Sequence, residues 1–293
     1  MVEIKAFKKI LKKNQNELKQ LVKTYLKIQK YEPIVGDGYV YATGDIPILL
    51  VAHLDTVHLS KPNNIYFDPM EKVMWSPEGI GGDDRCGVFM ILKLLKKYRP
   101  YVLFTEDEEK GCIGANKVVD QILPPKVKFI IELDRRGNND CVFYECDNEK
   151  FHEYIESFGF KTAIGSFSDI CVLSDEWDIA SVNLSSGYYN EHSDKEIIRL
   201  DHMERTLNRV EKILEDEKSE YYDYQRYIYS YPQQTKHEHT GRYEYEDEYG
   251  YLDEDGGWHW WDDESYEDYK NNVFEGSEED EKNEESDTDN KLE

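Results

Sequence analysis

Short apolar runs that end in polar residues recur along this chain, and they constrain its fold more than any other feature. Three of them are "PILLVAHLD", "PYVLFTEDEEKG" and "VKFIIELD". Uninterrupted apolar runs of this length are typical of strands that are buried on both faces. Helical patterns such as "CGVFMILKLLKKY" separate them. The alternation predicts a three-layer α/β/α domain with a central, largely parallel mixed sheet.

Other segments fit around this sheet. Residues 3–31 place apolar side chains at helical spacing, which predicts one or two amphipathic helices. The stretch "NIYFDPMEKVMWSPEG" is typical of a hairpin with its turn near Pro69. A last helix is expected over roughly residues 194–217.

The polar ends of the buried strands are expected to meet. In open α/β sheets, ligands bind just beyond the carboxyl ends of the strands. His53 and Asp55 are two positions apart, and a strand has a side-chain period of two, so both point to the same face. His58 falls on the other side of the alternation, beyond the end of the strand. We therefore leave His58 out of the predicted site.

Charge divides the chain into two regions. The chain has 293 residues and a net charge of -26. Residues 219–293, about a quarter of its length, hold 25 of the 62 acidic residues but only 6 of the 36 basic ones. The sequence predicts a folded, mildly acidic domain at 1–218 and an acidic tail at 219–293. Such an acidic surface argues against nucleic acid or an anionic membrane as a partner, because both carry phosphate.

The tail has almost no Leu, Ile or Val, so it is expected to be mostly disordered. It is nevertheless rich in aromatic residues, with twelve tyrosines and three tryptophans. One interpretation is a solubilising tail. A second is a docking segment that folds on a protein partner through its aromatic residues, and a third is docking along the protein's own domain.

The cysteine content and the N-terminal sequence favour the cytoplasm. The five cysteines are odd in number and lack the spacing of a zinc knuckle, which suits a reducing compartment. The lysine-rich N-terminus has no continuous apolar core of a signal peptide, and no run approaches the roughly 20 apolar residues of a membrane span.

A cluster of carboxylates and histidines suits a pair of metal ions. Two divalent ions that share a water need nitrogen and oxygen ligands from several elements. Imidazole with carboxylate suits zinc, with cobalt or manganese as substitutes. Without metal, so many converging carboxylates would repel one another. The candidate residues, in chain order, are His53 with Asp55, Asp83 with Asp84, Glu108 with Glu109, Asp134 and His192.

At these residues the sequence resembles the co-catalytic di-zinc exopeptidases, a superfamily of metallo-aminopeptidases, tripeptidases, carboxypeptidases and deacylases. The resemblance rests on "HLDTV", "GGDDRCG", "TEDEEKG", "ELD" and "NLSSGYYNEHS", which occur in the family's order over about residues 35–200. Many relatives carry an inserted lid domain. Asp134 and His192 are 58 positions apart, which leaves no room for one there, so the chain is most similar to the lid-less aminopeptidase branch.

The resemblance implies a role for each residue. His53 and Asp134 would bind one zinc ion, Glu109 and His192 the other, and Asp83 would bridge both. Asp55 would orient the ring of His53 and raise its basicity. Glu108 would act as the general base that takes a proton from water and passes it to the leaving amine.

Several alternatives stay open at the level of sequence. Asp84 could be the bridging ligand in place of Asp83. Glu108 and Glu109 could be a solvated helix start, since acids favour a helix N-terminus. Asp134 could pair with Arg135. His202 competes with His192, but its polar neighbours in the last predicted helix indicate a surface position. Asp169 resembles a family position near the substrate.

Our first hypothesis is a cytoplasmic aminopeptidase that hydrolyses short peptides through water activated by two zinc ions. A deacylase or carboxypeptidase on the same core is the alternative among enzymes, because the metal ligands are shared and specificity resides in loops. The alternative of another class is a metal-stabilised binding protein that acts through its acidic aromatic tail. The sequence leaves oligomeric state open.

Overall fold

A computed structural model of the protein describes residues 2–226 and three short strands further along the chain. The chain divides into two compact units, Met1–Tyr227 and Ile228–Glu293. The helices of the first unit are α1 (Ile4–Leu11), α2 (Gln15–Ile28), α3 (Gly82–Leu94), α4 (Ile113–Gln121), α5 (Glu149–Glu156), α6 (Asp169–Trp177) and α7 (Leu200–Glu215).

The strands of the first unit are mostly short. They are β1 (Ile34–Gly36), β2 (Tyr39–Ala42), β3 (Ile46–His53), β4 (Tyr66–Asp68), β5 (Val73–Trp75), β6 (Pro100–Thr105), β7 (Ile130–Arg135), β8 (Asp140–Val142), β9 (Lys161–Thr162), β10 (Ser181–Ser185), β11 (Tyr188–Tyr189) and β12 (Ile197–Arg199).

Within residues 2–226, eight of these strands form the central sheet. Their order is β1-β2-β6-β3-β7-β10-β8-β9. The four central strands, β6, β3, β7 and β10, run parallel, whereas β2 pairs with β6, and β8 with β10, in antiparallel fashion. The predicted mixed, largely parallel sheet is confirmed. The carboxyl ends of β3, β6, β7 and β10 therefore lie at one edge.

Helices cover both faces of this sheet, as the three-layer prediction requires. On β3, Leu50 and Ala52 pack in one buried cluster with residues of α1, α2, α3, α5 and α7. Leu49 and Val51 point the other way and pack with residues of α4 and α6. The strand is apolar on both faces because neither face meets water, which explains why its sequence shows no alternation.

A second sheet of four strands lies beside the first in the described domain, in the order β11-β12-β5-β4. It contains the predicted hairpin, which is β4 and β5 with a turn that includes Pro69. Its strand β12 takes residues that the sequence assigned to the last helix. That helix begins at Leu200 instead, because Ile197–Arg199 pairs with Val73–Trp75.

Within the predicted tail, residues 219–226 continue to pack on the domain. Ile179 bridges to Asp223 and Cys146 to Arg226. The Tyr222 ring lies 5.1 Å from that of Phe151, measured between centroids. Most of the predicted disordered tail lies outside the described residues. Three strands are described within it, β13 (Glu246–Asp247), β14 (Gly250–Leu252) and β15 (Trp258–Trp260), and they form one antiparallel sheet.

The described residues contain neither a membrane-spanning helix nor a disulfide bond. Among the described residues, no helix is both long and apolar enough to cross a bilayer. All five cysteines lie in residues 2–226, and each is a free thiol.

Candidate metal centre

His53 is the last residue of β3 and is almost fully buried. Its Nδ1 lies 3.1 Å from Oδ1 of Asp55. Its Nε2 lies 3.0 Å from Oδ1 of Asp83 and 3.3 Å from Oδ1 of Asp134. With the Nδ1 proton donated to Asp55, Nε2 is left free to act as a ligand. Asp55 thus holds the ring with its ligand atom toward the two other carboxylates.

Asp83 lies between two histidines at the start of α3. Its Oδ1 faces His53, and its Oδ2 lies 3.3 Å from Nε2 of His192. Asp84 turns away, and its carboxylate accepts the backbone N–H groups of His53 (3.2 Å) and Gly87 (2.9 Å). Asp83, rather than Asp84, therefore occupies the position that a bridging ligand needs.

A close approach of backbone brings this segment to the end of β7. A Cβ atom placed on Gly87 would lie 2.1 Å from the carbonyl oxygen of Leu133. Only glycine therefore fits where α3 crosses β7. This contact holds the carboxylates of Asp83 and Asp134 in the same cleft.

Glu108 and Glu109 lie in a single 3-10 turn, Glu108–Lys110, just after β6. Their backbone N–H groups donate to the two carboxylate oxygens of Asp55, at 3.1 and 3.2 Å. Asp55 therefore fixes both the ring of His53 and the turn. The Oε2 atom of Glu109 lies 3.1 Å from Nε2 of His192, whereas its Oε1 atom is buried without a hydrogen-bond partner.

These side chains form two ligand sets that share one residue. The first set is His53, Asp83 and Asp134, and the second is Asp83, Glu109 and His192. Within each set the ligand atoms lie within 4.8 Å of one another. His53, Glu108 and Glu109 form a further overlapping group. The nitrogen and oxygen donors and the unpartnered oxygen of Glu109 fit divalent ions such as zinc.

Burial and mutual repulsion dominate the electrostatics of the cleft. Burial, together with the Asp83 charge, raises the pKa of Asp134 well above its usual range. Burial also raises the pKa of Glu108 to about 7, and neighbouring carboxylates add to the effect. The hydrogen bond that His192 donates to the Asp83 carboxylate raises the pKa of His192 to about 9. Cations would relieve this repulsion, so the charge pattern also fits a metal centre.

Glu196 is a buried residue that the sequence analysis missed. Its carboxylate accepts the backbone N–H groups of Gly81 (2.8 Å) and Asp83 (3.0 Å), and it lies 2.9 Å from Nε2 of His58. Glu196 therefore anchors the turn that presents Asp83. His58 holds no position among the ligands but contacts this anchor. No motif surrounds Glu196, so only its acidic character could have indicated it.

Two further buried carboxylates lie behind the ligands. Asp169 accepts a hydrogen bond from the Thr105 hydroxyl, and burial raises its pKa to about 6. The Ser168 hydroxyl lies 2.5 Å from Oε2 of Glu132 and 3.4 Å from Oδ2 of Asp134. The structure thus places Asp169 in the interior beside the cleft. Glu132, which precedes Asp134 on the same face of β7, was not singled out in the sequence.

The remaining alternatives can be located directly. His202 contacts the Tyr189 hydroxyl through Nδ1 at 2.6 Å, and it belongs to neither ligand set. Arg135 has Asp140, not Asp134, as its ionic neighbour. The described residues between Asp134 and His192 form β8 to β11 with α5 and α6, and they contain no inserted lid domain.

Comparison with known protein families gives one match. The model of peptidase family M28 matches residues 38–169, from β2 to the start of α6. No curated protein matches this sequence.

Solved structures show the same fold. Aminopeptidase PepT from Bacillus cereus is 14% identical, with a TM-score of 0.60 over 72% of this chain and 97% of that chain. A tripeptidase from Staphylococcus aureus is 13% identical, with a TM-score of 0.59 over 72% and 96%. An aminopeptidase from the archaeon Desulfurococcus kamchatkensis is 15% identical, with a TM-score of 0.55 over 73% and 94%.

The family match and the fold together confirm the prediction of a metal-dependent exopeptidase, a hydrolase that acts on peptide bonds. Residues 38–169 match peptidase family M28, and the chain has the fold of the aminopeptidase and tripeptidase structures, so the predicted resemblance to the co-catalytic zinc exopeptidases is confirmed.

Proposed function

We propose that this protein is an aminopeptidase that hydrolyses short peptides with two zinc ions. His53, Asp83 and Asp134 would hold one ion, and Asp83, Glu109 and His192 the other. The observation that carries this proposal is the position of Asp83, whose two carboxylate oxygens face histidines from separate elements, at 3.0 and 3.3 Å. A carboxylate placed in this way can give one oxygen to each of two ions.

The ions, when bound, would polarise the scissile carbonyl and acidify water. Glu108 would take the proton from the attacking water and pass it to the leaving amine. Its placement fits this role, since Glu108 lies in the cleft beside the two ligand sets and belongs to neither of them. Asp55 supports it indirectly, because it accepts the backbone N–H of Glu108 and fixes the turn.

The shape and charge of the cleft support a short peptide with a free amino end. The cavity at the ligands has a volume of about 280 Å³ and is bordered by Tyr144, Phe167 and Tyr188. Apolar rings of this kind suit a side chain of the substrate. The excess of carboxylates around the ligands favours a positively charged amino group over an anionic one.

A carboxypeptidase on the same ligand set is the second candidate. The observation that favours it is the guanidinium of Arg135, which lines the same cavity and could pair with the carboxyl end of a peptide.

A substrate screen separates these functions. Metal-free protein would be loaded with zinc and given aminoacyl-arylamides, dipeptides and N-acetylated dipeptides, with a chelator as control. We expect hydrolysis of substrates with a free amino end and loss of activity with the chelator. Cleavage restricted to N-acetylated dipeptides would favour the carboxypeptidase, and hydrolysis of none of them would refute the proposal.

A further inference from the structure

Arg135 is a basic residue in a cleft that is rich in carboxylates. It is the last residue of β7 and directly follows Asp134. It lines the same cavity as Asp83, Glu108 and Glu109. Its side chain is only 19% exposed, so most of the side chain is removed from water.

The hydrogen bonds of this guanidinium are incomplete. One terminal nitrogen, Nη2, donates to the carbonyl oxygen of Ile164 at 3.0 Å. The Nε atom is buried and has no hydrogen-bond partner. The nearest carboxylate oxygen to Nε, Oδ2 of Asp140, lies 3.8 Å away, which is too far for a hydrogen bond. A buried charged donor without an acceptor is costly, and a ligand that brings an acceptor would remove that cost.

The neighbouring Arg136 lines the same cavity, but its guanidinium has a carboxylate partner. Arg136 donates from Nη1 to Oε1 of Glu191 at 2.7 Å, and its side chain is 54% exposed. Arg136 therefore has both a carboxylate partner and water. Arg135 is less exposed and its Nε atom has no partner, so it is the residue of the pair with an unused hydrogen-bond donor.

Guanidinium groups frequently bind carboxylates with two parallel hydrogen bonds. We propose that Arg135 forms a subsite that binds a carboxylate of the peptide substrate. The inference rests on the proposed peptidase function and names its substrate class. The carboxylate has two sources in a short peptide: an acidic side chain, or the carboxyl end of a dipeptide or tripeptide.

A binding experiment tests the subsite without turnover. The zinc-loaded Glu108→Gln variant would be titrated calorimetrically with two matched pairs of ligands, Glu-Ala against Gln-Ala and Ala-Ala against Ala-Ala amide. We expect the acid member of one pair to bind about 10- to 100-fold more tightly, as loss of a charged hydrogen bond predicts. The first pair reports an acidic side chain and the second the carboxyl end. Equal binding within both pairs would overturn the subsite.

Matched variants then assign the preference to Arg135. In the same Glu108→Gln background, Arg135→Met should abolish the preference for the acid. Lys126→Met is the control, since it removes the same charge at an exposed position before the opposite end of β7 and should keep the preference. A preference that survives Arg135→Met, or that Lys126→Met abolishes equally, would contradict the assignment.

Folding of each variant is checked by its thermal unfolding. If Arg135→Met does not fold, Arg135→Lys carries the test, because it keeps the charge but loses the planar pair of donors. Its preference should then fall below that of wild type, and an unchanged preference would overturn the subsite.

Failure of the subsite and failure of the proposed function give different results. If the substrate screen finds no hydrolysis but the acid ligands still bind preferentially, the peptidase proposal fails and the subsite stands. If hydrolysis occurs without any preference in binding, the subsite fails and the peptidase proposal stands.

Discussion

Glu108 and Glu109 are consecutive residues of one turn with different expected tasks. Only Glu109 contacts His192. We expect Glu108→Gln to lower kcat by about 10²- to 10⁴-fold, the usual contribution of a general base, and to leave the zinc content unchanged. Steady-state kinetics together with elemental analysis of the dialysed protein measure both quantities.

Glu109→Gln is the matched comparison. It makes the same chemical change one residue away, but it should lower the zinc content, because a neutral amide is a poorer ligand. If Glu108→Gln retained full activity, or if both variants lost zinc equally, the division of tasks would be wrong.

Asp55 is expected to act through its neighbours. It accepts hydrogen bonds from the ring of His53 and from the backbone of Glu108 and Glu109. We expect Asp55→Asn to weaken zinc affinity by about 10- to 100-fold, as is usual for residues that orient a ligand. Competition with a chromophoric chelator measures it. Asp37→Asn, at an exposed ion pair with Lys117, is the control, and equal zinc affinity in the two variants would refute the role.

The sequence predicted contacts between site residues correctly where those residues are close along the chain. The period of two along β3 predicted that His53 and Asp55 share a face, and the structure brings their side chains within 3.1 Å. The contact of Glu196 with the backbone of Gly81 and Asp83 joins residues far apart in sequence. No local pattern encodes such a contact, so no feature of the sequence pointed to Glu196.

The turn before α3 depends on one buried side chain. Glu196 pairs with two backbone N–H groups there, those of Gly81 and Asp83. We expect Glu196→Ala to lower the free energy of unfolding of the metal-free protein by about 1–3 kcal/mol, since buried donors lose their acceptor. Urea denaturation measures it. Glu153→Ala, an exposed position on α5, is the control, and equal stability of the two variants would contradict the anchoring role.

The helices and strands that the sequence predicted correctly are those whose own residues determine their structure. The apolar runs became β3, β6 and β7, because burial on both faces leaves a continuous apolar signal. The start of the last helix was misplaced, since Ile197–Arg199 forms β12 against Val73–Trp75. Pairing with a distant strand overrides local helical preference, and the sequence alone does not report it.

The stability of the whole domain should depend on metal and pH together. Glu108 has an ordinary pKa of 4.5 and a folded pKa of about 7, so its burial increasingly destabilises the metal-free fold as pH rises between these values. His192 has a raised pKa of about 9 against an ordinary 6.5, so its stabilising contribution is present below 6.5 and is lost as pH rises to about 9. Both effects have the same sign.

We therefore expect the metal-free protein to lose stability as pH rises from about 5 to 9, and zinc to restore it most strongly at high pH. Metal binding displaces the protons that these groups hold. Thermal unfolding with zinc and with a chelator, at several pH values, measures the difference. A zinc-induced increase in Tm that shrinks as pH rises would contradict this prediction.

The limit of the domain can be tested by truncation. Tyr222 packs against Phe129 and Tyr154 as well as Phe151. We expect a chain of residues 1–218 to unfold at a lower temperature than one of residues 1–227, since it loses a packed aromatic side chain worth about 1.5–3 kcal/mol. Equal Tm values of the two chains would show that residues 219–227 contribute nothing.

The central claim is a pair of zinc ions that share Asp83 and support peptide hydrolysis. The most direct test is to titrate metal-free protein with zinc while measuring the hydrolysis of an aminoacyl-arylamide. We predict that activity appears with added zinc and reaches its maximum at two equivalents per chain. Activity that is complete at one equivalent, or absent at every zinc concentration, would contradict the claim.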